Sequence, residues 1–370
     1  MIIRTLTIYL FLTLSFAQIG LSQIDSIIVQ EIVRTNIEYK SFTTIDNKLF
    51  AINDSGQVII WDLTRLDTFH FAYNNKFRYT AISKDRENQV FIGTDKGEIY
   101  KLNPNDLSFS LFHKVKYRIH SICFNSDNKI FVIVPYAVHD PITKKYWTEF
   151  ENHAGGIVHR KKIMRLFWKR TDKYFSMPQF TYLDNNDRWW MCSSYGEFGG
   201  EAQIFDTKNS TIYNNKFEGI STGLFFPKSV FNDNDGNIYI TSGLQHFTSS
   251  GEIYKISSNR IVTKIFDSND YRDTIKQGIF VGPGAYNKKD NSIYFASTKG
   301  FYKAPLPING KLQNPQLIFN PSLSWGREPL AIGIGMAIKR IEFTTDNKLL
   351  FLTSKDGFGM YDGYKLVFLK

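Results

Sequence analysis

Ser41–Leu63 reads SFTTIDNKLFAINDSGQVIIWDL, and Tyr79–Leu102 repeats the same pattern as YTAISKDRENQVFIGTDKGEIYKL. Each stretch contains an apolar strand, a tight turn rich in Asp and Asn, a second apolar strand, and a third strand that follows a glycine. Tight turns of this kind join antiparallel neighbours. Each stretch is therefore predicted to form a small antiparallel sheet.

Further copies of this pattern bring the number of repeats to seven; they begin at Ile119, Phe180, Lys228, Ala285 and Ile338. One such sheet cannot bury both of its faces, so the units must pack on one another. A ring of units is the arrangement that closes on itself. The repeats therefore predict an all-β fold, a seven-bladed β-propeller built from four-stranded antiparallel blades.

The spacing of the turns gives the blade boundaries. The first turns are centred on Asp46, Glu87 and Asp127, about 40 residues apart as a four-stranded blade requires. Later intervals are longer and predict an insertion at about 141–173. In the first repeat we expect strands at Phe42–Ile45, Leu49–Ile52, Gln57–Leu63 and near Thr68–Phe71.

Ring closure requires the two ends of the repeat region to meet. The β-branched run Ile27–Val33 precedes the first repeat, and Lys365–Leu369 is the last apolar segment. We expect both segments in or beside the same closing sheet.

Two segments resemble known propeller repeats. Phe91–Leu102, FIGTDKGEIYKL, resembles the blades of ligand-binding-sensor (two-component regulator) propellers of secreted bacterial proteins, and Val58–Leu63, VIIWDL, is similar to the Trp-Asp ending of WD repeats. The resemblance extends over Ser41–Gly363. It implies a blade architecture and specifies no activity.

The N-terminus predicts export. Residues 1–22 combine one charge at Arg4, an apolar run and small residues near the end, the pattern of a secretory signal peptide. Residues 23–370 then form one propeller domain in the periplasm or outside the cell, and no transmembrane anchor is expected. Cys123 and Cys192 both lie within apolar strands, which predicts buried, unpaired thiols.

The chain is basic, with a formal net charge of +10 over 370 residues. Residues 144–173 hold nine Lys or Arg and three acidic residues, a local charge of +6. A positive surface attracts anions. We therefore expect a small molecule, a glycan or a protein as partner, with an anionic group, and we do not expect nucleic acid.

Antiparallel connections alternate between the two ends of the ring, so the tight Asp-Asn turns share one face. Second-to-third strand loops and the connections between blades share the opposite face, where loops of the third to fifth repeats are expected to be long. Their polar residues suit a divalent metal or an acid and base pair. The candidate residues are His139, Asp140, Tyr195, Glu197, Glu201 and His246.

A second candidate site is basic. Cationic residues begin several inner strands, and several of them are expected to form an anion funnel at the mouth of the channel. These residues are Lys40, Arg78, Arg118 with His120, Lys228, Lys339 with Arg340, and Arg327 in the last connection between blades.

Aromatic residues indicate both packing and binding. Trp61 and Trp190 are expected in blade packing, whereas Tyr146 and Trp147 lie in an insertion, where exposed rings stack on sugars. No nucleophile elbow, phosphate-binding loop or dinucleotide motif is present in the sequence.

Three functions fit these observations. The first is a secreted, non-catalytic propeller that binds a ligand or partner on its long-loop face. The second is a metal-assisted hydrolase or lyase that acts on a sugar or lactone, with a metal held by His139, Glu197, Glu201 and His246. The third is an adhesive or structural surface component.

Overall fold

The computed structural model describes residues 28–29, 37–72, 74, 76–103, 106–148, 160–163, 167–170, 175, 177–195, 199–213, 225–245, 249–271, 278–307, 310–312, 315–321 and 338–369. Seven sheets in these ranges have the order and antiparallel pairing of propeller blades, so the predicted seven-bladed β-propeller is confirmed. The predicted signal peptide, 1–22, lies outside the described residues.

The strands of the first four blades follow β1 (Ile28–Val29) along the chain. Blade 1 comprises β2 (Tyr39–Ile45), β3 (Lys48–Asn53), β4 (Val58–Asp62) and β5 (Asp67–Ala72). Blade 2 comprises β6 (Tyr79–Lys84), β7 (Val90–Thr94), β8 (Glu98–Leu102) and β9 (Phe109–Lys114). Blade 3 comprises β10 (Ser121–Phe124), β11 (Ile130–Val134), β12 (Ala137–His139) and β13 (Tyr146–Trp147). A separate hairpin, β14 (Arg160–Ile163) and β15 (Phe167–Arg170), precedes blade 4, which comprises β16 (Phe180–Leu183), β17 (Arg188–Ser194), β18 (Gly200–Asp206) and β19 (Thr211–Tyr213).

The remaining blades repeat the arrangement. Blade 5 comprises β20 (Pro227–Asn232), β21 (Ile238–Gln245), β22 (Ser249–Ile256) and β23 (Val262–Asp267), followed by a short 3-10 helix, Ser268–Tyr271. Blade 6 comprises β24 (Gly284–Asn287), β25 (Ser292–Ser297), β26 (Gly300–Pro305) and β27 (Gln316–Phe319). Blade 7 comprises β28 (Ile338–Phe343), β29 (Leu349–Thr353), β30 (Phe358–Tyr361) and β31 (Lys365–Phe368). Within the described ranges, no helix has the length and apolarity needed to cross a membrane.

The turn between the first and second strand explains the Asp, Asn and Gly of the repeats. In every blade this turn contains one residue with a positive φ, between 48° and 77°. Gly, Asn and Asp adopt this conformation at the lowest cost. The residues are Asp46, Asn88, Asn128, Asp187, Gly236, Asn291 and Asn347.

A side-chain cap accompanies these turns in six blades. Asp85, for example, accepts hydrogen bonds from the backbone N–H groups of Glu87 (2.9 Å) and Gln89 (2.8 Å). Such a bond satisfies donors that the tight turn leaves unpaired. The equivalent acceptors are Asn125, Asp184, Asp233, Asn287 and Thr344.

The core lies between blades rather than inside them. Among the described residues there are seven apolar clusters, one at each interface between neighbouring blades. Side chains alternate along a strand, so each strand supplies both of its interfaces. In β17, Trp189 packs towards blade 3 and Trp190 towards blade 5, and both are fully buried. The expected packing roles of Trp61 and Trp190, and the buried, free thiols of Cys123 and Cys192, are confirmed.

The ring closes at the interface of blades 7 and 1. Strand β1 pairs in parallel with β31 as a fifth, outer strand of blade 7, with Ile28 opposite Lys365. The expectation that both ends of the chain share the closing sheet is confirmed. At the inner side, Tyr39, Phe42 and Trp61 pack around Phe358 with ring centroids 4.9–5.5 Å apart.

The strand directions define two faces of the ring. We call the face with the first-to-second strand turns the turn face, and the opposite face, with the connections between blades, the mouth face. The expected long second-to-third strand loops are wrong for the third blade, where only Pro135 and Tyr136 separate β11 from β12. In blade 5, Gly243–Gln245 extends β21 instead of forming a loop. The extra length lies in the connections between blades, and most of it is outside the described residues.

Candidate functional site

A backbone irregularity recurs where each inner strand begins, at the mouth face. A register shift places one extra residue in the inner strand of four blades: Lys40, Thr80, Lys228 and Lys339. In the other three, His120, Gln179 and Gly282 donate their backbone N–H to the carbonyl facing the next residue, as a bulge residue does. Bulges redirect a side chain out of the regular alternation. The seven positions together form what we call the rim.

The rim side chains connect neighbouring blades. Thr80 Oγ1 donates to the carbonyl of Ile119 at 2.6 Å, and His120 Nε2 lies 2.9 Å from the carbonyl oxygen of Pro178. Lys339 pairs with Glu38 at 3.5 Å. These contacts place the rim along the inner edge of the ring rather than inside the apolar interfaces.

The strongest basic cluster lies where blades 1, 2 and 3 meet. Burial and the positive charge of Arg118, with a further contribution from Arg78, lower the pKa of Lys40. The ammonium group of Lys40 donates to the carbonyl of Asp54 at 2.7 Å. Arg78 and Arg118 are exposed, and neither has an ion-pair partner within the described part of the chain. Like charges repel one another, so the binding of an anion beside these three cations is favoured.

The second-to-third strand turn of blade 2 positions both arginines. Asp95 accepts the backbone N–H of Arg78 at 3.1 Å and donates its own N–H to the Arg78 carbonyl at 3.0 Å. Gly97 accepts the N–H of Val115 at 2.8 Å. The segment 115–119, which carries Arg118, is therefore attached to this turn.

Arg340 lies deeper than the mouth position expected for it. Its guanidinium stacks on the Phe42 ring at 4.1 Å, donates to the Phe42 carbonyl at 3.1 Å and pairs with Glu342 at 2.7 Å. Its charge influences the pKa of Tyr182, in blade 4, and of Lys84, in blade 2. Arg340 therefore acts within the channel, and the rim position of blade 7 belongs to Lys339.

Lys228 is a desolvated cation on the rim. Burial lowers its pKa from 10.5 to about 8. Its ammonium group donates to Ser194 Oγ at 3.1 Å, and no carboxylate among the described residues pairs with it. His120 also has a lowered pKa, mainly because of burial and also because of Arg118, so its ring is largely neutral at pH 7.

Among the predicted metal and acid-base residues that the structure describes, the pair in blade 3 is separate from the pair in blade 4. His139 ends β12 and Asp140 follows it, towards the turn face, whereas Tyr195 and Glu201 lie on the mouth face of blade 4. His139 Nδ1 bonds to the Lys145 carbonyl at 2.8 Å, and burial lowers the pKa of this histidine. No group of three or more metal-ligating side chains occurs in the described residues.

Asp140 caps a turn. It accepts the N–H groups of Ile142 and Thr143, both at 2.9 Å, and its other oxygen lies 3.0 Å from Lys129 Nζ. Burial raises the pKa of this carboxyl, but the hydrogen bonds from Thr143 and Lys129 outweigh burial and lower the pKa overall. Asp140 is thus committed to local structure.

The candidates in blades 4 to 7 are only partly described. Tyr195 donates its hydroxyl to Glu201 at 2.8 Å, so these two predicted residues are neighbours. Glu197, His246 and Arg327 lie outside the described residues.

One feature of the mouth face was not predicted. A cleft of about 380 Å³ lies between blades 2 and 3 and is lined by Lys116, Tyr117, Val134, Tyr136, Ala137, Tyr146 and Thr148. Of these residues, the sequence indicated a binding role for Tyr146 alone. Lys116 and Tyr117 come from the connection between blades 2 and 3, whereas Val134, Tyr136 and Ala137 lie at the short β11–β12 connection. The cleft forms because this connection is short.

The sequence matches no family model and no curated protein. Solved structures with a similar fold include a catalytically inactive virginiamycin B lyase from Staphylococcus aureus with quinupristin, at a TM-score of 0.55 and 10% identity over 90% of this chain and 97% of that chain. Hydrazine synthase from Kuenenia stuttgartiensis has a TM-score of 0.56 and 10% identity, covering 89% and 97%. U3-55K has a TM-score of 0.52 and 8% identity, covering 88% and 91%. Identities this low establish the propeller fold alone.

Proposed function

We propose that the protein is a non-catalytic binding propeller that takes an anionic ligand at the rim of its channel. The observation that carries this proposal is the meeting of Lys40, Arg78 and Arg118 from three consecutive blades. Lys40 Nζ bonds to the Asp54 carbonyl, the Tyr79 N–H bonds to the Gly56 carbonyl of the same turn, and the Ile119 N–H bonds to the Thr94 carbonyl, so the residues beside both arginines are attached to the preceding blade. Holding three cations close together costs free energy unless an anion joins them. Arginine forks suit carboxylate, sulfate or phosphate groups, which they bind through two parallel hydrogen bonds.

Nearby carboxylates only partly offset this charge. Glu38 pairs with Lys339, while Asp54 and Asp95 accept backbone N–H groups of Ser55 and Arg78. The four cations Lys40, Arg78, Arg118 and Lys339 thus face these three carboxylates, which leaves a charge of +1 at this cluster, and Lys228 adds a further cation to the rim in blade 5.

Replacing Arg78 and Arg118 together with alanine should weaken binding of sulfate, inorganic phosphate and citrate by roughly tenfold to a hundredfold. A charge-assisted hydrogen bond contributes about 1.5–3 kcal/mol, and because both side chains are exposed we expect the pair to contribute about as much as one such bond. Isothermal titration calorimetry on the mature chain at low salt measures this. The matched control is Lys288→Ala with Lys289→Ala, which removes two exposed cations from the turn face. Equal affinity in both double variants, or no binding of any of the three anions at millimolar concentration, would contradict the proposal.

Lys228 gives a test with opposite effects on stability and binding. Its folded pKa of about 8 lies below the usual 10.5, so between these values the unfolded chain binds more protons and stability rises with pH. Lys228→Met should therefore raise the free energy of unfolding at pH 7 by about 1–2 kcal/mol, a gain that disappears towards pH 10. Denaturant unfolding at pH 7 and pH 10 measures it.

Sulfate binding can be compared with the effect of Lys228 on stability, because sulfate keeps the same charge between pH 7 and pH 10. It should stabilise the wild-type protein more than Lys228→Met at pH 7, because the buried ammonium then gains a counter-ion. Equal stabilisation of both proteins would remove Lys228 from the site.

We also propose a location: the protein acts outside the cytoplasm. The signal-like residues 1–22 support this. An exported protein whose N-terminus begins near Gln18 or Gln23 is expected from N-terminal sequencing, and an intact Met1 would contradict it. The metal-assisted alternative is not proposed, because His139 is bonded to the Lys145 carbonyl within blade 3 whereas Glu201 accepts the Tyr195 hydroxyl in blade 4.

A further inference from the structure

The cleft between blades 2 and 3 is walled by three tyrosines. The rings of Tyr117 and Tyr136 stand edge to face, with centroids 5.8 Å apart at 88°. The Tyr146 hydroxyl is close enough to Tyr117 for that neighbour to contribute to its raised pKa, after burial. Tyr136 is 37% exposed and Tyr146 is 45% exposed. Large aromatic faces are thus left open to solvent within one concave space.

The platform of Tyr146 is fixed from behind. Its ring lies on the ring of His139, with centroids 3.9 Å apart and an angle of 15°. His139 itself is 3% exposed and is held by its bond to the Lys145 carbonyl. One face of Tyr146 is therefore covered and rigid, while the residue remains exposed where it lines the cleft. A pre-positioned ring loses little conformational entropy on binding.

The polar groups of the cleft limit the chemistry of a ligand. Lys116 places its ammonium 5.4 Å from the centre of the Tyr117 ring, where a cationic ligand would otherwise bind. A positive ligand is therefore disfavoured and a negative group is favoured. The hydroxyl of Thr148 and the phenols of the walls add hydrogen-bonding groups beside apolar faces. A sugar ring has the matching surface, with apolar C–H faces and a rim of hydroxyls.

We propose that this cleft binds a sugar ring of an acidic saccharide. The ring stacks on Tyr146 and Tyr136, and a carboxylate or sulfate on the sugar pairs with Lys116. A volume of about 380 Å³ is at the lower end for ligand sites and suits one or two sugar rings. The cleft is separate from the rim cluster. Lys116 and Tyr117 of segment 115–119 line the cleft, whereas Arg118 of the same segment does not line it and belongs to the rim cluster.

The experiment is calorimetric titration of the mature chain with a hexamer of galacturonate and with the uncharged hexamer maltohexaose. Tyr136→Ala and Tyr146→Ala should each weaken galacturonate binding about tenfold, the effect of removing a central aromatic anchor. Lys116→Ala should weaken binding of the galacturonate hexamer and leave that of maltohexaose unchanged. The control is Tyr364→Ala, which removes a tyrosine that is 87% exposed in the β30–β31 turn.

Two results would overturn this proposal: the galacturonate hexamer does not bind at millimolar concentration, or the tyrosine variants bind it as tightly as the control. Equal melting temperatures of the variants and the control show that the fold is intact. The rim also takes carboxylates, so uncharged and inorganic probes separate the two sites. The Arg78→Ala and Arg118→Ala double variant should bind maltohexaose as the wild type does, and the tyrosine variants should keep the wild-type affinity for sulfate, so failure of the rim proposal and failure of this one are distinguishable.

Discussion

Replacing Asp184 with alanine should lower the free energy of unfolding by about 3–5 kcal/mol, because it leaves a buried charge without its partner. Asp184 is 1% exposed. Its oxygens accept the Arg188 Nε at 2.7 Å, the Trp190 Nε1 at 2.8 Å and two backbone N–H groups of the blade 4 turn. Denaturant unfolding, followed by tryptophan fluorescence, measures the loss.

No other described acceptor can take the place of the Asp184 carboxylate beside Arg188. Arg188 Nη2 is buried and has no hydrogen-bond partner among the described atoms, so this arginine depends on Asp184. Asp184→Asn keeps an acceptor for the backbone and removes the charge, so its loss should be intermediate. The control is Asp106→Ala, an exposed turn carboxylate that accepts the Ser108 N–H at 3.0 Å. If the midpoints for Asp184→Ala and Asp106→Ala coincide, the buried network does not stabilise the blade as argued.

Replacing Gly97 with alanine should lower the free energy of unfolding by on the order of 3–5 kcal/mol, since backbone strain and steric overlap add. Gly97 has φ +80°, and a Cβ there would lie 2.3 Å from the Val115 carbonyl oxygen and 2.7 Å from that of Tyr117. Both obstacles are backbone atoms, so neither can rotate away. Thermal and denaturant unfolding measure the effect.

Gly236→Ala separates the two causes. Gly236 has nearly the same φ, +77°, but nothing lies within 4 Å of its added Cβ. It should show only the conformational cost of about 1–2 kcal/mol. Because segment 115–119 carries Tyr117 and Arg118, Gly97→Ala should also weaken sulfate and galacturonate binding, while Gly236→Ala should not. Similar losses of stability in both variants would contradict the steric argument.

The blades could be predicted because their determinants are local. Alternating apolar residues identify each strand, and a left-handed turn residue such as Asn128 or Gly236 is visible in the sequence. The residues that cap these turns were less visible. Attention falls on Asp127 at the centre of the turn, but Asn125 accepts the hydrogen bonds.

The sites were harder to predict because they depend on contacts between blades. A bulge at Lys228 leaves the residue pattern of its strand unchanged, so its rim position appears only in the pairing. The three-residue strand β12 is too short to show alternation, so the sequence predicts a long loop where the structure has only Pro135 and Tyr136 between β11 and β12. That one error conceals the cleft and places His139 in a loop instead of in a strand.

The recurrent bulge also bears on how a protein of this shape acquires new preferences. Six of the seven rim positions carry a side chain, and none of these side chains belongs to the apolar clusters that hold the described blades together. Substitutions at the rim therefore leave the apolar interfaces unchanged, and only positions such as Thr80 and His120 also lose a bond to the next blade. In evolution or in design, a single substitution at the rim, such as the gain of a lysine or its loss to glycine, would change which ligands the rim prefers. Gly282 leaves one sector of the rim without a side chain, and an added Cβ there would lie only 3.0 Å from the carbonyl oxygen of Ala296, so this sector is the one that resists such a change.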